Sequence, residues 1–197
     1  MNHLAGTSDG QTPLDAGDLV GLIPSWVSTR ADLDLVEQEG IARTIGWART
    51  RRLTPARIVA EPFVRQLHRR MFGGVWKWAG QYRQRDVNIG VAPAYIPEEI
   101  AKLIGDARYW LDDRPFPADE VAVRFHHRLV WVHPFPNGNG RHARLAADLL
   151  IAGLGEIPLT WGAERAGDGE RVRREYIASL RKADAGDVAR LVAFARS

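Results

Sequence analysis

The stretch Val132-His133-Pro134-Phe135-Pro136-Asn137-Gly138-Asn139-Gly140-Arg141 decides most of what this chain can fold into. Its two prolines stop a helix, and the Asn-Gly pairs that follow favour a turn over regular structure. Apolar residues recur at helical spacing on both sides. Val121, Phe125, Leu129 and Val132 precede the turn; Leu145, Leu149 and Ala146, Leu150 follow it, up to Gly153-Leu154-Gly155. The sequence therefore demands two helices joined by a tight, glycine-rich corner. Gly138-Asn139-Gly140 falls where the second helix begins, and the unpaired N–H groups and dipole of a helix start suit a phosphate.

The rest of the chain is helical by the same criterion. Leu33, Val36, Ile41, Ile45 and Ala48 share a face over Arg30 to Arg52, interrupted at Gly40, which marks a bend or a close packing contact. Thr54-Pro55 and Glu61-Pro62 read as helix starts, the second leading into Phe63, Leu67, Met71 and Phe72. Pro97-Glu98-Glu99 opens a helix with Ile100, Leu103, Ile104, Ala107 and Leu111 buried, and two more are expected around 171–182 and 187–196. Trp76 and Trp78, set among glycines, read as core packing under a turn. Only Val87-Asn88-Ile89-Gly90-Val91 alternates, so a short β-hairpin is expected over Val87 to Ile96. Residues 1–29 read as an N-terminal arm and 30–197 as one mainly α domain.

Composition adds limits. With no cysteine, disulfides and thiolate zinc sites are excluded. Apolar runs are too short for a membrane span, and Leu19 to Val27 is broken by Pro24, so no membrane partner and a cytoplasmic location are expected. The 27 Lys plus Arg against 24 Asp plus Glu leave a net charge of +3, which reads first as a solvated surface, with phosphate or nucleic-acid binding through arginines such as Arg49, Arg51 and Arg52 as the alternative.

His126, His127, His133 and His142 raise the question of a metal, but neighbours on a helix point about 100° apart and no H-E-x-x-H spacing is present. What remains is a histidine before an anion-binding helix start, with Arg141 and Arg144 one turn apart and able to grip phosphate oxygens. With a reference pKa near 6.5, His133 can take a proton from a hydroxyl at neutral pH. Phosphoryl or nucleotidyl transfer is the implied chemistry; a capped turn with structural arginine pairs is the alternative.

The segment His133 to Arg144 resembles the signature of the Fic (Fido) family, H-x-F-x-[D/E]-G-N-G-R-x-x-R. The likeness extends to Leu67-His68-Arg69-Arg70-Met71-Phe72, to Trp78-Ala79-Gly80 with Arg83, and to Tyr176 through Gly186. Thr12-Pro13-Leu14-Asp15 and Gly21-Leu22-Ile23-Pro24 are similar to a Fic subgroup known as mobile mystery protein B. The resemblance implies a Fic-type helical core with a β-hairpin flap and a protein adenylyltransferase, in which His133 deprotonates a target hydroxyl that attacks the α-phosphate of ATP. It also implies that Gly138, Asn139 and Gly140 cradle phosphates, that Arg141 and Arg144 hold the distal ones, that Phe135 anchors the loop, and that Val87–Ile96 docks the target. An antitoxin-like regulator is a further partner the resemblance suggests.

One position departs from the pattern. Asn137 stands where the family has Asp or Glu for Mg²⁺, and an amide brings no charge, so metal affinity and turnover are expected to fall. A nucleotide-binding protein with little turnover, or an enzyme using another phosphate-containing donor, is the alternative. Glu39-Gly40 matches the end of the family's inhibitory motif [S/T]-x-x-x-E-[G/N], although Leu35 takes the hydroxyl position and Arg43 is a ready partner for Glu39.

Overall fold

In the computed structural model, which describes residues 16–163 and 169–197, helices carry the architecture. They are α1 (Ala16–Leu19), α2 (Arg30–Arg49), α3 (Pro55–Ile58), α4 (Glu61–Phe72), α5 (Ile96–Asp113), α6 (Ala118–Val132), α7 (Asn139–Gly153), α8 (Gly169–Asp184) and α9 (Ala189–Ala195). The leader through Asp15 and the Gly167-Asp168 pair lie outside the described residues. Helix starts follow local chemistry. Thr29 and Asp32 cap α2 reciprocally, Asp32 N–H donating to Thr29 Oγ1 at 3.1 Å and Thr29 N–H to Asp32 Oδ2 at 2.9 Å. Proline occupies the first turn of α3, α4 and α5.

The α6–α7 pair is the centre of the molecule. One face of each helix enters the larger core, with Phe125, Leu129 and Val132 from α6 and Ala143, Ala146 and Leu150 from α7 meeting α2, α4 and α5. The other face supplies Ala122, Val123, Ala147 and Ile151 to a smaller core closed by α8 and α9 through Ala183, Leu191 and Phe194. A fully buried Leu, Ile or Phe contributes about 1.5–3 kcal/mol, so two cores sharing these helices fix the corner between them firmly. Trp76 is buried as expected and stacks on the half-buried Trp78 at 4.9 Å.

The buried face of α2 runs through Leu33, Glu37, Gly40, Thr44 and Ala48, with Ile41 and Ile45 only partly covered. Of the two readings of Gly40, close packing is the correct one. A Cβ there would lie 2.1 Å from the Met71 carbonyl oxygen of α4.

The expected hairpin is not formed: the β-contact among the described residues is one isolated bridge, Leu22 to Trp76. The segment 84–92 is irregular and ends in a 3-10 turn, Pro93–Tyr95. Its hydrogen bonds go elsewhere, which is the physical reason. Arg83 N–H donates to Pro134 O at 2.9 Å and Val91 N–H to Val132 O at 3.4 Å, so this segment lies against the α6–α7 corner instead of pairing with itself.

Gly40 and Gly46 of α2 make a paired test, since a Cβ at Gly46 meets nothing within 4 Å. Gly46→Ala should raise stability by about 0.5–1 kcal/mol through helix propensity alone. Gly40→Ala should lower it by about 1–3 kcal/mol, because backbone must move to admit the methyl. Urea denaturation of both variants checks the opposite signs.

Candidate active site

Pro134 ends α6, and His133 before it takes a left-handed conformation, φ 53°, while its N–H still donates to Leu129 O at 3.1 Å. A non-glycine residue in this region carries a cost of about 1–2 kcal/mol, which the surrounding packing must hold in place. Gly138 is left-handed too, φ 79°, and a Cβ there would sit 2.7 Å from the Phe72 ring, so this position requires glycine on both counts.

Between these residues the corner is locked from inside. Phe135 is fully buried, stacked on His68 at 3.8 Å and edge-on to His142 at 5.1 Å. The Asn139 side chain brackets its backbone: Phe135 N–H donates to Asn139 Oδ1 at 2.9 Å, and Asn139 Nδ2 donates to Phe135 O at 2.8 Å. Gly80 N–H donates to His68 Nδ1 at 3.0 Å, so the proton of that ring is on Nε2, which donates to Asn137 O at 3.0 Å. His142 Nε2 lies 2.9 Å from Val64 O and holds α7 to α4.

The base and the phosphate-site residues expected from the sequence line one cavity of about 880 Å³: His133, Asn137, Gly138, Asn139, Gly140, Arg141 and Arg144. Other walls come from Asn88 to Val91, within the segment expected to face a target, from Tyr176 and Ile177 of α8, and from Arg30 and Asp34 of α2, to which the sequence did not point. His133 is buried, and burial pushes its pKa down to about 4, so it is neutral at pH 7. Its Nδ1 lies 3.2 Å from the Val130 carbonyl oxygen, which can only accept. The proton therefore sits on Nδ1 and Nε2 is the basic nitrogen.

The two arginines differ. Arg141 Nη1 pairs with Glu37 Oε2 at 2.7 Å, and Trp76 Nε1 donates to the other oxygen of that buried carboxylate at 2.7 Å. Arg144 has no carboxylate within ion-pair distance among the described residues; it donates weakly to Gly140 O at 3.4 Å and lies 5.6 Å over the Tyr176 ring. Asp148, one turn further along α7, has its pKa lifted to about 6 by burial, against the hydrogen bond from Trp161 and the nearby Arg144 charge. Glu39, the acid that drew attention in the sequence, is exposed and lies 3.6 Å from Arg43. Glu37 is the acid that reaches the site. The signal was available: it is four residues from Leu33 on the buried face.

Asn137 Oδ1 accepts the Gly138 N–H at 2.6 Å, and as an amide oxygen it carries no formal charge. No group of three acid or histidine side chains that could hold a metal is present among the described residues. At the position of Asn137 the side chain can thus offer a divalent ion a neutral oxygen, not a carboxylate. His126 is engaged by Tyr176 at 3.1 Å, and His127, on the cavity wall, by Asp184 at 2.8 Å.

Residues 58–151 match the model of the Fic/DOC family. The chain is 36% identical over 132 residues to "Protein adenylyltransferase fic-1" of Caenorhabditis briggsae, covering 62% of this chain and 24% of that protein. The Caenorhabditis elegans protein of the same name is 34% identical over the same shares. The chain thus spans about a quarter of the length of the curated relatives it matches. The solved structure of Fic-1 residues 134–508 from C. elegans superimposes with a TM-score of 0.67 at 27% identity, covering 89% of this chain and 50% of that one.

The buried imidazoles make stability depend on pH. His133 and His142 fall from 6.5 to about 4, and His68 and His126 are held well below 6.5, all chiefly by burial. A folded pKa below the unfolded one gives stability that is complete above about 6.5 and is lost as pH falls toward 4, by about 3 kcal/mol for each group shifted that far. Asp148, shifted from 3.8 up to about 6, opposes this between about pH 6 and 4 by about as much as one such histidine contributes, so the four imidazoles together decide the sign. The thermal midpoint should fall steeply between pH 6.5 and 4, and His142→Gln should flatten the slope; a midpoint independent of pH over that range contradicts the burial argument.

Proposed function

Residues 58–151 belong to the Fic/DOC family, and from that premise we propose that the chain transfers AMP from ATP to a hydroxyl side chain of a target protein. The observation that carries the reading is the joint placement, on one cavity, of a neutral histidine with Nε2 unprotonated and a helix N-terminus flanked by two arginines. The names of the relatives, protein adenylyltransferases, point the same way. We take residues 30–197 as the working unit and 1–29 as an arm.

His133 Nε2 accepts the hydroxyl proton as the target oxygen bonds to the α-phosphorus. The bond from that phosphorus to the bridging oxygen breaks, and pyrophosphate leaves. The backbone N–H groups of Asn139 and Gly140 face the phosphates at the start of α7, where the dipole favours negative charge, while Gly138, whose N–H is given to Asn137 Oδ1, shapes the turn that lets the phosphates approach. Arg144 meets the distal phosphates with its whole fork, and Arg141 with the donors not given to Glu37. Asn139 acts by its backbone, since its side chain is occupied with Phe135. Mg²⁺ carried by the triphosphate would meet Asn137 Oδ1 and neutralise charge on the leaving group. The loop 87–92 serves as the flap on which a target segment lies by backbone pairing. Asn137 and the Arg141–Glu37 pair favour a second reading, a nucleotide-binding protein with slow turnover.

Incubation with α-labelled ATP and a cell lysate should label protein, and His133→Ala should reduce this by at least about 10²-fold, the usual worth of a positioned base. Labelling that persists in His133→Ala rejects the base. Asn137→Asp should raise the rate at limiting Mg²⁺; calorimetric ATP binding without transfer in either protein would favour the second reading.

A further inference from the structure

Arg83 is 2% exposed, and among the described residues no carboxylate pairs with it. A cation taken out of water costs several kcal/mol unless its donors are met, so its environment must answer for it. It does so with carbonyl groups, aided by the nearby Asp86 charge, which favours the charged guanidinium without pairing with it. Nε–H donates to His133 O at 2.7 Å, Nη1 donates to Arg85 O at 2.9 Å, and Nη2 donates to Val91 O. These acceptors belong to two separate pieces of chain: the left-handed residue that ends α6, and the two ends of the loop facing the cavity. The backbone N–H of Arg83 itself donates to Pro134 O at 2.9 Å.

Gly90 completes the contact. It is left-handed, φ 103°, and a Cβ there would come within 2.5 Å of His133 Cβ and 2.9 Å of Arg83 Nη2. The loop therefore touches the histidine on one side and the guanidinium on the other. Neither can shift unless the other does.

We propose that Arg83 is a positioning residue: its guanidinium ties the ends of the 85–91 loop to the His133 carbonyl, so that the base and the target-facing loop are set by one buried cation. The inference rests on the reading of His133 as the base. Only a planar fork reaches carbonyls in these three directions; a lysine ammonium keeps the charge but is a point donor on a flexible stem. Arg83 contacts no reacting atom, so its effect passes through the geometry of His133 and the loop. A small displacement of a base that must meet a hydroxyl is enough to slow transfer greatly.

The test compares Arg83→Lys and Arg83→Met with Arg124→Met, a control whose arginine pairs with Glu120 and stacks on Phe116. Two readouts are taken. In the first, transfer from ATP should show kcat down about tenfold or more in Arg83→Met with the KM for ATP within about twofold, the pattern of lost alignment rather than lost binding. Arg83→Lys should recover part of kcat. In the second, histidine carbon-13 NMR, assigned with His133→Gln, follows the titration of the ring without any need for turnover. His133 titrates near 4 in the wild type, with burial first and the Arg83 charge also lowering it. Its midpoint should rise measurably, though burial keeps it below 6.5, in Arg83→Met, rise less in Arg83→Lys, and stay put in Arg124→Met. A folded Arg83→Met with wild-type kcat or an unmoved His133 midpoint overturns the proposal. If Arg83→Met fails to fold, Arg83→Lys decides: wild-type kcat together with an unmoved midpoint overturns it. Absence of transfer in the wild type, with the midpoint shifted as expected, would count against the enzyme reading while upholding the role of Arg83.

Discussion

The two hydrogen bonds between Asn139 and the backbone of Phe135 close the corner on which everything else depends. Each is worth about 1 kcal/mol net, but leaving the buried Phe135 N–H and C=O unpaired would cost more. By folding its side chain back, Asn139 lets its own residue begin α7 while Phe135 still points into the core. The first N–H groups of α7 are thereby aimed at the cavity. Rotation of that helix start would break the Phe135 bracket, the His68 bond to Asn137 O and the His142 bond to Val64 O together. The start of α7, the proposed anion cradle, is held rigidly because its supports lie on the other side of the loop, in the core.

The supports come from separate elements, which explains why α6 and α7 serve two cores. α4 contributes His68 and Phe72 beneath the loop, and the second core keeps α8 against α6 and α7 so that Tyr176 forms the facing wall. A chain with α6 and α7 alone would have the motif but neither floor nor wall. The strain at His133 is tolerable in this setting, since its flanks are fixed by Leu129 O, Val130 O and Arg83.

Much of this was legible in the sequence, because helical period and proline punctuation are local signals. The starts of α3, α4 and α5 and the corner at His133 to Gly140 were read from a few residues each. The corner also gave the family, since its residue types are fixed at close spacing. The loop at Val87 was misread for a clear reason. Alternation of apolar and polar residues reports a strand only if a partner strand exists, and the partner here is the end of α6, some forty residues away and not extended. The same limit applied to Asn139. Spacing placed an amide at the cradle but could not show that both ends of it would turn inward to Phe135. Glu37 was missed because attention followed a motif ending at Glu39, whereas the helix period put Glu37 on the buried face.

The electrostatics of the cavity follow from how each arginine is held. Arg141 and buried Glu37 largely cancel, and separating a buried pair costs about 3–5 kcal/mol, so a phosphate gains little by pulling Arg141 away. A guanidinium has five N–H groups, however, and one Nη on Glu37 leaves others for a second anion. Arg141 therefore acts as a shared donor with its net charge already spent, and Trp76 keeps Glu37 fixed while it does so. Arg83 spends its donors on carbonyl groups behind His133, which makes its charge a property of the base rather than of the anion site. Arg144 has no carboxylate within ion-pair distance among the described residues and only the Asp148 charge nearby, so it is the less compensated of the two α7 arginines, and in the proposed reading the attraction for a polyphosphate resides mainly in it and in the N-terminus of α7. A neutral Asn137 leaves this arrangement unopposed, because it sets no negative charge beside the α7 N-terminus that begins two residues on.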